Sequence, residues 1–404
     1  MKGRRMGKDS ITRRRRDNGD GGIERRGENS WRIKFYTGKH PVTGRYHFQK
    51  ETVRGTKKEA IAALQKRMEA VKHGTHVERS SVTVAEHMRE RLAYWKLSLS
   101  PKTIERHGEL IENQIVPHLG AIVLQKLKPE HIEQWFVTLM ASGRRDGKGG
   151  ISARTVGHAK RVLLKGLSDA VENGRAQRNV AAGKRAPKVE EVEVHILNEE
   201  TIAKLLGGLP GHRFWPMAVT SLFTGMRLGE VLALRWSAVT LEGTATIQVR
   251  EALEQTKAGL RFKEPKTKNG KREITLPDVV TEALREHRKD QLEMRFKLGA
   301  GKLAEDALVF PSSPGGEPLP PKRFSRAWED AAKGIGVPEV TFHALRHTHA
   351  SMLINQGIDV VMISKRLGHA SPEITMRVYA HLFRKDDSKA AAAINAAMAG
   401  LGKK

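Results

Sequence analysis

A chain of 404 residues with 72 Lys and Arg against 45 Asp and Glu, a formal charge of +27, is too long for one hydrophobic core and more basic than solubility requires. The surplus points to a polyanionic partner, and with no apolar run approaching the ~18 residues of a spanning helix, that partner is expected to be nucleic acid rather than a bilayer. Cysteine is absent, which excludes disulfides, thiolate metal sites and a cysteine nucleophile; no apolar segment follows the basic N-terminus, so a cytoplasmic protein is expected.

Residues 1–20 combine charge with glycine and hold almost no apolar side chains, the composition of a flexible basic arm. Over 21–75, Trp31, Ile33 and Phe35 alternate with polar residues, HPVTGR supplies a turn, and Tyr46 and Phe48 resume the alternation, predicting a β-hairpin with one apolar face. Ile61, Leu64, Met68 and Val71 recur at helical spacing and end near Gly74, so a helix is expected to cover that face. Residues 1–60 hold 18 Lys or Arg against 7 acids, which makes this small unit a candidate for nucleic-acid contact.

Residues 80–183 read as four amphipathic helices, with Pro101 and Pro129 at helix starts and Gly120, Gly143 and Gly174 at helix ends. A linker over 184–197 follows, broken by Pro187. From Asn198, a candidate N-cap, to residue 385, helices alternate with the brief β-branched runs TATIQVR, GLRFKEP and KREITLP, predicting a mainly helical mixed domain with a small antiparallel sheet. The tail, 386–404, is alanine-rich, with Ile394, Met398 and Leu401 at spacings of four and three, a stripe too thin to fold alone.

The chemistry gathers in the last half of the chain. Arg227 in TGMRLGE sits among apolar helical residues, where an unpaired guanidinium would be costly; Glu230, three residues on, offers an ordinary salt bridge, and an anionic ligand is the other partner. His343 and Arg346 in HALRHT lie three apart after the N-cap candidate Thr341, so they share a helix face and can share one anion. His347 and His349 are neighbours that compete for the same roles, although a zinc site built on His343 and His347 lacks both the HExxH glutamate and an evident third ligand. His369 in LGHAS occupies a turn between helices, where the plain alternative is a helix-dipole contact. Tyr379 in VYAH reads by itself as a core tyrosine, with a nucleophile as the alternative, and a phenol of ordinary pKa ~10 needs a cation or base beside it to attack at neutral pH. Residues 257–272 hold seven basic residues and one acid, and Lys266 within them reads as a phosphate contact or a proton donor.

In this order, TGMRLGE, PKTKNGKR, HALRHT, LGHAS and the tyrosine of VYAH resemble the tyrosine recombinase (phage integrase) family over roughly residues 80–385, and the N-terminal unit resembles an arm-type DNA-binding domain. The resemblance implies a multidomain, mainly α fold with α+β parts: a small three-stranded sheet plus helix at 21–75, a four-helix SAM-like core-binding domain at 80–183 and a mixed α/β catalytic domain at 198–385. It implies that Arg227 and Arg346 grip a scissile phosphate and Glu230 orients Arg227. His343 would accept a proton or bind phosphate, and His369 would donate to a non-bridging oxygen. Tyr379 would attack to give a 3′-phosphotyrosyl link, activated by the two arginines and His343, while Lys266, or its competitor Lys268, protonates the departing 5′ oxygen.

Such a reaction needs no ATP, because one phosphate ester replaces another, and with no DDE-like or Asp-rich carboxylate set for a two-metal route neither metal nor cofactor is expected. Its partners would be double-stranded DNA attachment sites, a dimer and then a tetramer of the same chain, and DNA-bending or directionality factors. The tail at 386–404 would dock on a neighbouring protomer. The rival assignments are a Xer-like chromosome-dimer recombinase, against which the extra N-terminal unit speaks, a non-cutting DNA-binding or architectural protein, and a monomeric topoisomerase.

Overall fold

The computed structural model describes residues 21–39, 43–74, 76–190, 194–265, 268–383 and 388–401. The expected basic arm at 1–20 lies outside the described residues. The chain divides into two compact units, residues 1–190 and 191–404.

The first unit opens with an antiparallel sheet, β1 (Gly22–Gly27), β2 (Ser30–Lys39) and β3 (Tyr46–Arg54), in that spatial order. Helix α1 (Lys57–Lys72), started by a capping box between Thr56 and Glu59, covers one face. Ile33 and Phe35 are buried there with Ala60 and Leu64, whereas Ile61 is exposed. The expected single apolar face is corrected by the register. Phe35 pairs with Gln49 but Tyr36 pairs with Phe48, and past a bulge Lys39 pairs with Tyr46, so Tyr46 and Phe48 lie opposite Phe35 on the solvent face.

A helical bundle follows: α2 (Val84–Trp95), α3 (Pro101–Leu110), α4 (Val116–Leu119), α5 (Pro129–Ser142) and α6 (Ala153–Glu172). Helices α3 and α4 are two halves of one predicted helix joined by a π turn at Ile111–Ile115. Pro117 explains the widened turn, since it lacks the N–H that would bond back and its ring crowds the carbonyl four residues earlier. Trp95, Trp135, Ile111 and Leu163 fill the core, and Asp169 accepts from both Arg91 and Trp95.

The second unit contains α7 (Glu199–Gly208), α8 (Trp215–Thr224), α9 (Leu228–Leu232), five short strands and then α10 (Asp278–Lys297), α11 (Pro321–Gly334), α12 (Phe342–Asn355), α13 (Val360–Leu367), α14 (Pro372–Tyr379) and α15 (Ser388–Leu401). The strands are β4 (Val239–Thr240), β5 (Thr246–Val249), β6 (Ala252–Thr256), β7 (Gly259–Lys263) and β8 (Arg272–Thr275). They form two sheets, β4-β5-β8 and the separate ribbon β6-β7. The run ALEQT that forms β6 carries too few β-branched residues to stand out in the sequence. Helix α8, apolar on nearly every side, packs between α10 and α12 and carries the core of this unit. In α15, Ile394 and Met398 are exposed. Among the described residues no helix is long and apolar enough to cross a membrane.

Candidate active site

Three segments distant in sequence build one cleft: the turn after α8, the start of α12, and the stretch from α13 into α14. Helix α8 ends at Gly225 with φ 68°, and a Cβ there would fall 2.7 Å from both His349 and Leu367, so only glycine permits this turn. The turn delivers Arg227 to the N-cap of α9, where its backbone N–H and Nη1 donate to the two carboxylate oxygens of Glu230 at 3.0 and 2.8 Å. Its Nη2 donates to the Gly368 carbonyl at 3.2 Å. The Glu230 pairing anticipated from the spacing is therefore present, while the Arg227 side chain stays 40% exposed and faces the cleft.

Glu230 has a second partner that the motifs did not reveal. Arg272, the first residue of β8, donates to Glu230 at 2.8 Å, and the two side chains are 6% and 5% exposed. Burial alone would raise the Glu230 pKa, but Arg272 first and Arg227 next override it and hold the carboxylate below its usual range. Arg272 also donates from Nε to the Arg366 carbonyl at 2.7 Å, so the carboxylate ties α9, β8 and α13 together. A signal existed in KREITLP: Arg272 shares the strand face of Ile274, which is fully buried.

Arg346 is 3% exposed and is held by two carbonyls, Nη1 to Gly225 at 2.5 Å and Nη2 to Leu367 at 2.8 Å. Those bonds leave N–H groups of its fork for a ligand. Burial, and then Arg227, pushes its pKa down to about 9. A guanidinium so burdened is stabilised by any anion that enters.

His343 lies at the exposed mouth of the cleft, its pKa lowered by desolvation and by Arg346 and Arg227. The side chain on the Tyr379 hydroxyl is His347: Nδ1 and the phenolic oxygen are 2.7 Å apart. Tyr379 is 1% exposed, packed with Ile363, Leu367 and Ile354, and burial drives its pKa up to about 12, with Arg346 opposing. The cations expected to activate the phenol thus do not bring it below its ordinary value. His369 is half-buried after Gly368, the left-handed cap of α13, and its Nδ1 meets Thr375 Oγ1 at 2.8 Å. Burial and then Arg346 and Arg227 push its pKa down to about 3, so it is neutral at pH 7. A neutral ring that accepts from Thr375 at Nδ1 carries its proton on Nε2, where an oxygen in the cleft can receive it.

Lys266 lies outside the described residues, as does the side chain of Lys268. Asn269, the next residue along, donates to the carbonyls of His369 and Ala370, each at 3.2 Å. Lys263, paired with Glu254, also lines the cleft, whose volume is about 500 Å³. Arginines 227, 272 and 346 surround a single carboxylate, so the cleft is a positive, partly desolvated cavity with a phenol in one wall.

Residues 215–386 match the phage integrase family, and residues 83–140 match the N-terminal SAM-like domain of phage integrases. A tyrosine recombinase XerC-like protein of Caldanaerobacter subterraneus is 27% identical over 366 residues, 86% of this chain and 91% of the relative. The ICEBs1 integrase of Bacillus subtilis is 24% identical over 357 residues, 87% and 93% of the two chains. Among solved structures, the Tn1549 transposon integrase in complex with a circular intermediate DNA superposes with a TM-score of 0.66 at 20% identity, covering 78% of this chain and 99% of that one. A lambda integrase dimer bound to a core site gives 0.53 at 17% identity, covering 90% and 96%.

Proposed function

The chain belongs to the phage integrase, or tyrosine recombinase, family, and on that premise we propose that it integrates or excises a mobile DNA element by cutting and rejoining double-stranded DNA through Tyr379. The observation that carries this reading is the convergence of Arg227, Arg346, His343, His369 and Tyr379 on one cleft from segments up to 152 residues apart, Arg227 to Tyr379. A phosphodiester seated between the two guanidiniums has its developing charge met by fixed cations, and His369 Nε2 adds a neutral donor. Glu230, braced by Arg272, orients Arg227.

Attack by the Tyr379 oxygen forms a 3′-phosphotyrosyl ester and releases a 5′ hydroxyl, protonated by Lys266 or Lys268. The bond energy is kept in the ester, so the strand can be resealed without ATP. Relatives of the fold are described bound to DNA as a dimer at a core site and as a tetramer on a Holliday junction, which supports a dimer and then a tetramer of this chain on paired attachment sites. The tail would join neighbouring protomers, and DNA-bending or directionality factors would set the direction. A cytoplasmic, nucleoid-associated location follows from that substrate.

The N-terminal sheet suits a second DNA contact at arm sites. Its solvent face sets Tyr36, Tyr46 and Phe48 beside Lys34 and Lys39, with Lys34 Nζ 4.4 Å from the Phe48 ring. This extra unit favours an element integrase over a Xer-like resolution enzyme. The test is a suicide substrate nicked beside the scissile phosphate. Wild type should be trapped covalently and Tyr379→Phe should not; an adduct that survives the substitution removes the proposal. Trapping without sequence preference would favour a topoisomerase, and no adduct from the wild type a DNA-binding protein.

A further inference from the structure

Resting on the reading of Tyr379 as nucleophile, we propose that His347, and not His343, is the base that takes the phenolic proton during strand cleavage and returns it during rejoining. The two atoms are already in contact, Nδ1 to the phenolic oxygen at 2.7 Å. Their rings meet at 62° with centroids 5.8 Å apart, which leaves the imidazole edge facing the hydroxyl. Tyr379 is 1% exposed, so bulk water does not reach its proton and a base must be in place beforehand. His343 stands one helical turn away at the mouth, edge-on to His347 at 4.6 Å, and is placed for the phosphate rather than for the phenol.

The step balances. The Tyr379 oxygen bonds to phosphorus, its proton moves to Nδ1 of His347, the bond from phosphorus to the 5′ oxygen breaks, and that oxygen takes a proton from a lysine of the 264–271 loop. Nε2 of His347 already carries a proton, so an imidazolium forms. Rejoining runs the same path backwards: the 5′ hydroxyl gives its proton to the lysine, and His347 restores the phenol.

The surrounding charges make this base dependent on substrate. His343 and Arg346 face His347 from its own helix, Tyr379 from α14, His369 from the turn before α14, and Arg227 and Arg272 with Glu230 from the far wall. With protein charges alone, burial first, then His343 and Arg346, keep the ring neutral, down to about 4, so the proton stays on the phenol. A phosphate between Arg227 and Arg346 cancels the repulsion from Arg346 and stabilises the imidazolium as negative charge grows on phosphorus. Off DNA, the nucleophile is held but idle.

Two variants separate proton transfer from mere positioning. His347→Asn places an amide oxygen near Nδ1 and can still hold the phenol, but it cannot become a cation; His347→Ala removes both functions. Single-turnover cleavage of the suicide substrate should fall by roughly 10²–10⁴-fold in both variants, with DNA affinity retained. The wild-type rate should fall on acidification as His347 takes up a proton, and that fall should be absent from both variants. A substrate with sulfur at the bridging 5′ position, which needs no proton on leaving, should rescue a Lys266 variant and leave His347→Asn slow. Wild-type rate and pH profile in His347→Asn would overturn the assignment while leaving the recombinase reading intact, whereas trapping by Tyr379→Phe would remove that reading first.

Discussion

Replacing Arg272 by Met isolates what the buried carboxylate does. Arg272 is 6% exposed and bonds Glu230, itself 5% exposed, at 2.8 Å. Breaking a buried pair by deleting one partner costs about 3–5 kcal/mol, because the remaining charge keeps its desolvation penalty. Here Arg227 retains its 2.8 Å bond to the same carboxylate, and methionine refills part of the volume, so the lower end, about 3 kcal/mol, is expected. That loss lies within the ~5–15 kcal/mol of a typical native state, so the variant should fold at 25 °C.

The measurement is hydrogen exchange of the amides of α9 across a urea series, in the wild type, Arg272→Met, Glu230→Gln and the double variant. Neutralising Glu230 removes the stranded charge, so the double variant should be less damaged than the sum of the singles by at least ~1 kcal/mol. The pH dependence has a definite sign. The folded Glu230 pKa lies below its unfolded value, so its contribution is present above the unfolded carboxylate range and is lost as pH falls through the folded value. The gap between wild type and Arg272→Met should therefore narrow in acid. Effects that add within ~0.5 kcal/mol at pH 7 would refute the ion-triad account.

Gly225→Ala should destabilise the second unit by about 2–4 kcal/mol in thermal unfolding, from a left-handed backbone cost of ~1–2 kcal/mol and the clash with His349 and Leu367. Thr375→Val removes the hydroxyl on His369 Nδ1, and adduct formation should slow toward the ~10²-fold loss expected for deleting one oxyanion donor, with DNA affinity unchanged in a mobility-shift titration. Thr56→Ala breaks the capping box of α1 and should cost the N-terminal sheet and helix about 1 kcal/mol, read as faster exchange of the α1 amides.

Much of this was readable from residue types and spacing. Arg227 with Glu230, and His343 with Arg346, announced themselves because three-residue spacing on a helix brings side chains together. The mainly helical architecture followed from periodicity and from prolines and glycines at helix ends. Other features depend on packing between distant segments, which periodicity does not encode. His347 reaches Tyr379 only because the end of α14 meets α12 in the fold, and nothing in residue spacing prefers it over His343 or His349. His349 instead bonds the Leu222 carbonyl and accepts from Arg366, a structural role in the seam between α8 and α13. Tyr46 and Phe48 alternate correctly but sit on the other face, because strand register and the bulge at Tyr36–Gly38, and not alternation, decide which side is buried. The depth of Arg272 was the one omission with a visible cue, its shared face with Ile274.

The central claim is that a phenolic oxygen does the cutting and protein cations do the neutralising. Full-length protein incubated with its attachment-site DNA in excess chelator, digested with protease and mapped by mass spectrometry, tests it directly. A DNA 3′ phosphate esterified to the peptide containing Tyr379 is the predicted result. A DNA-linked peptide lacking Tyr379, or cleavage that begins only when a divalent ion is added, would contradict it.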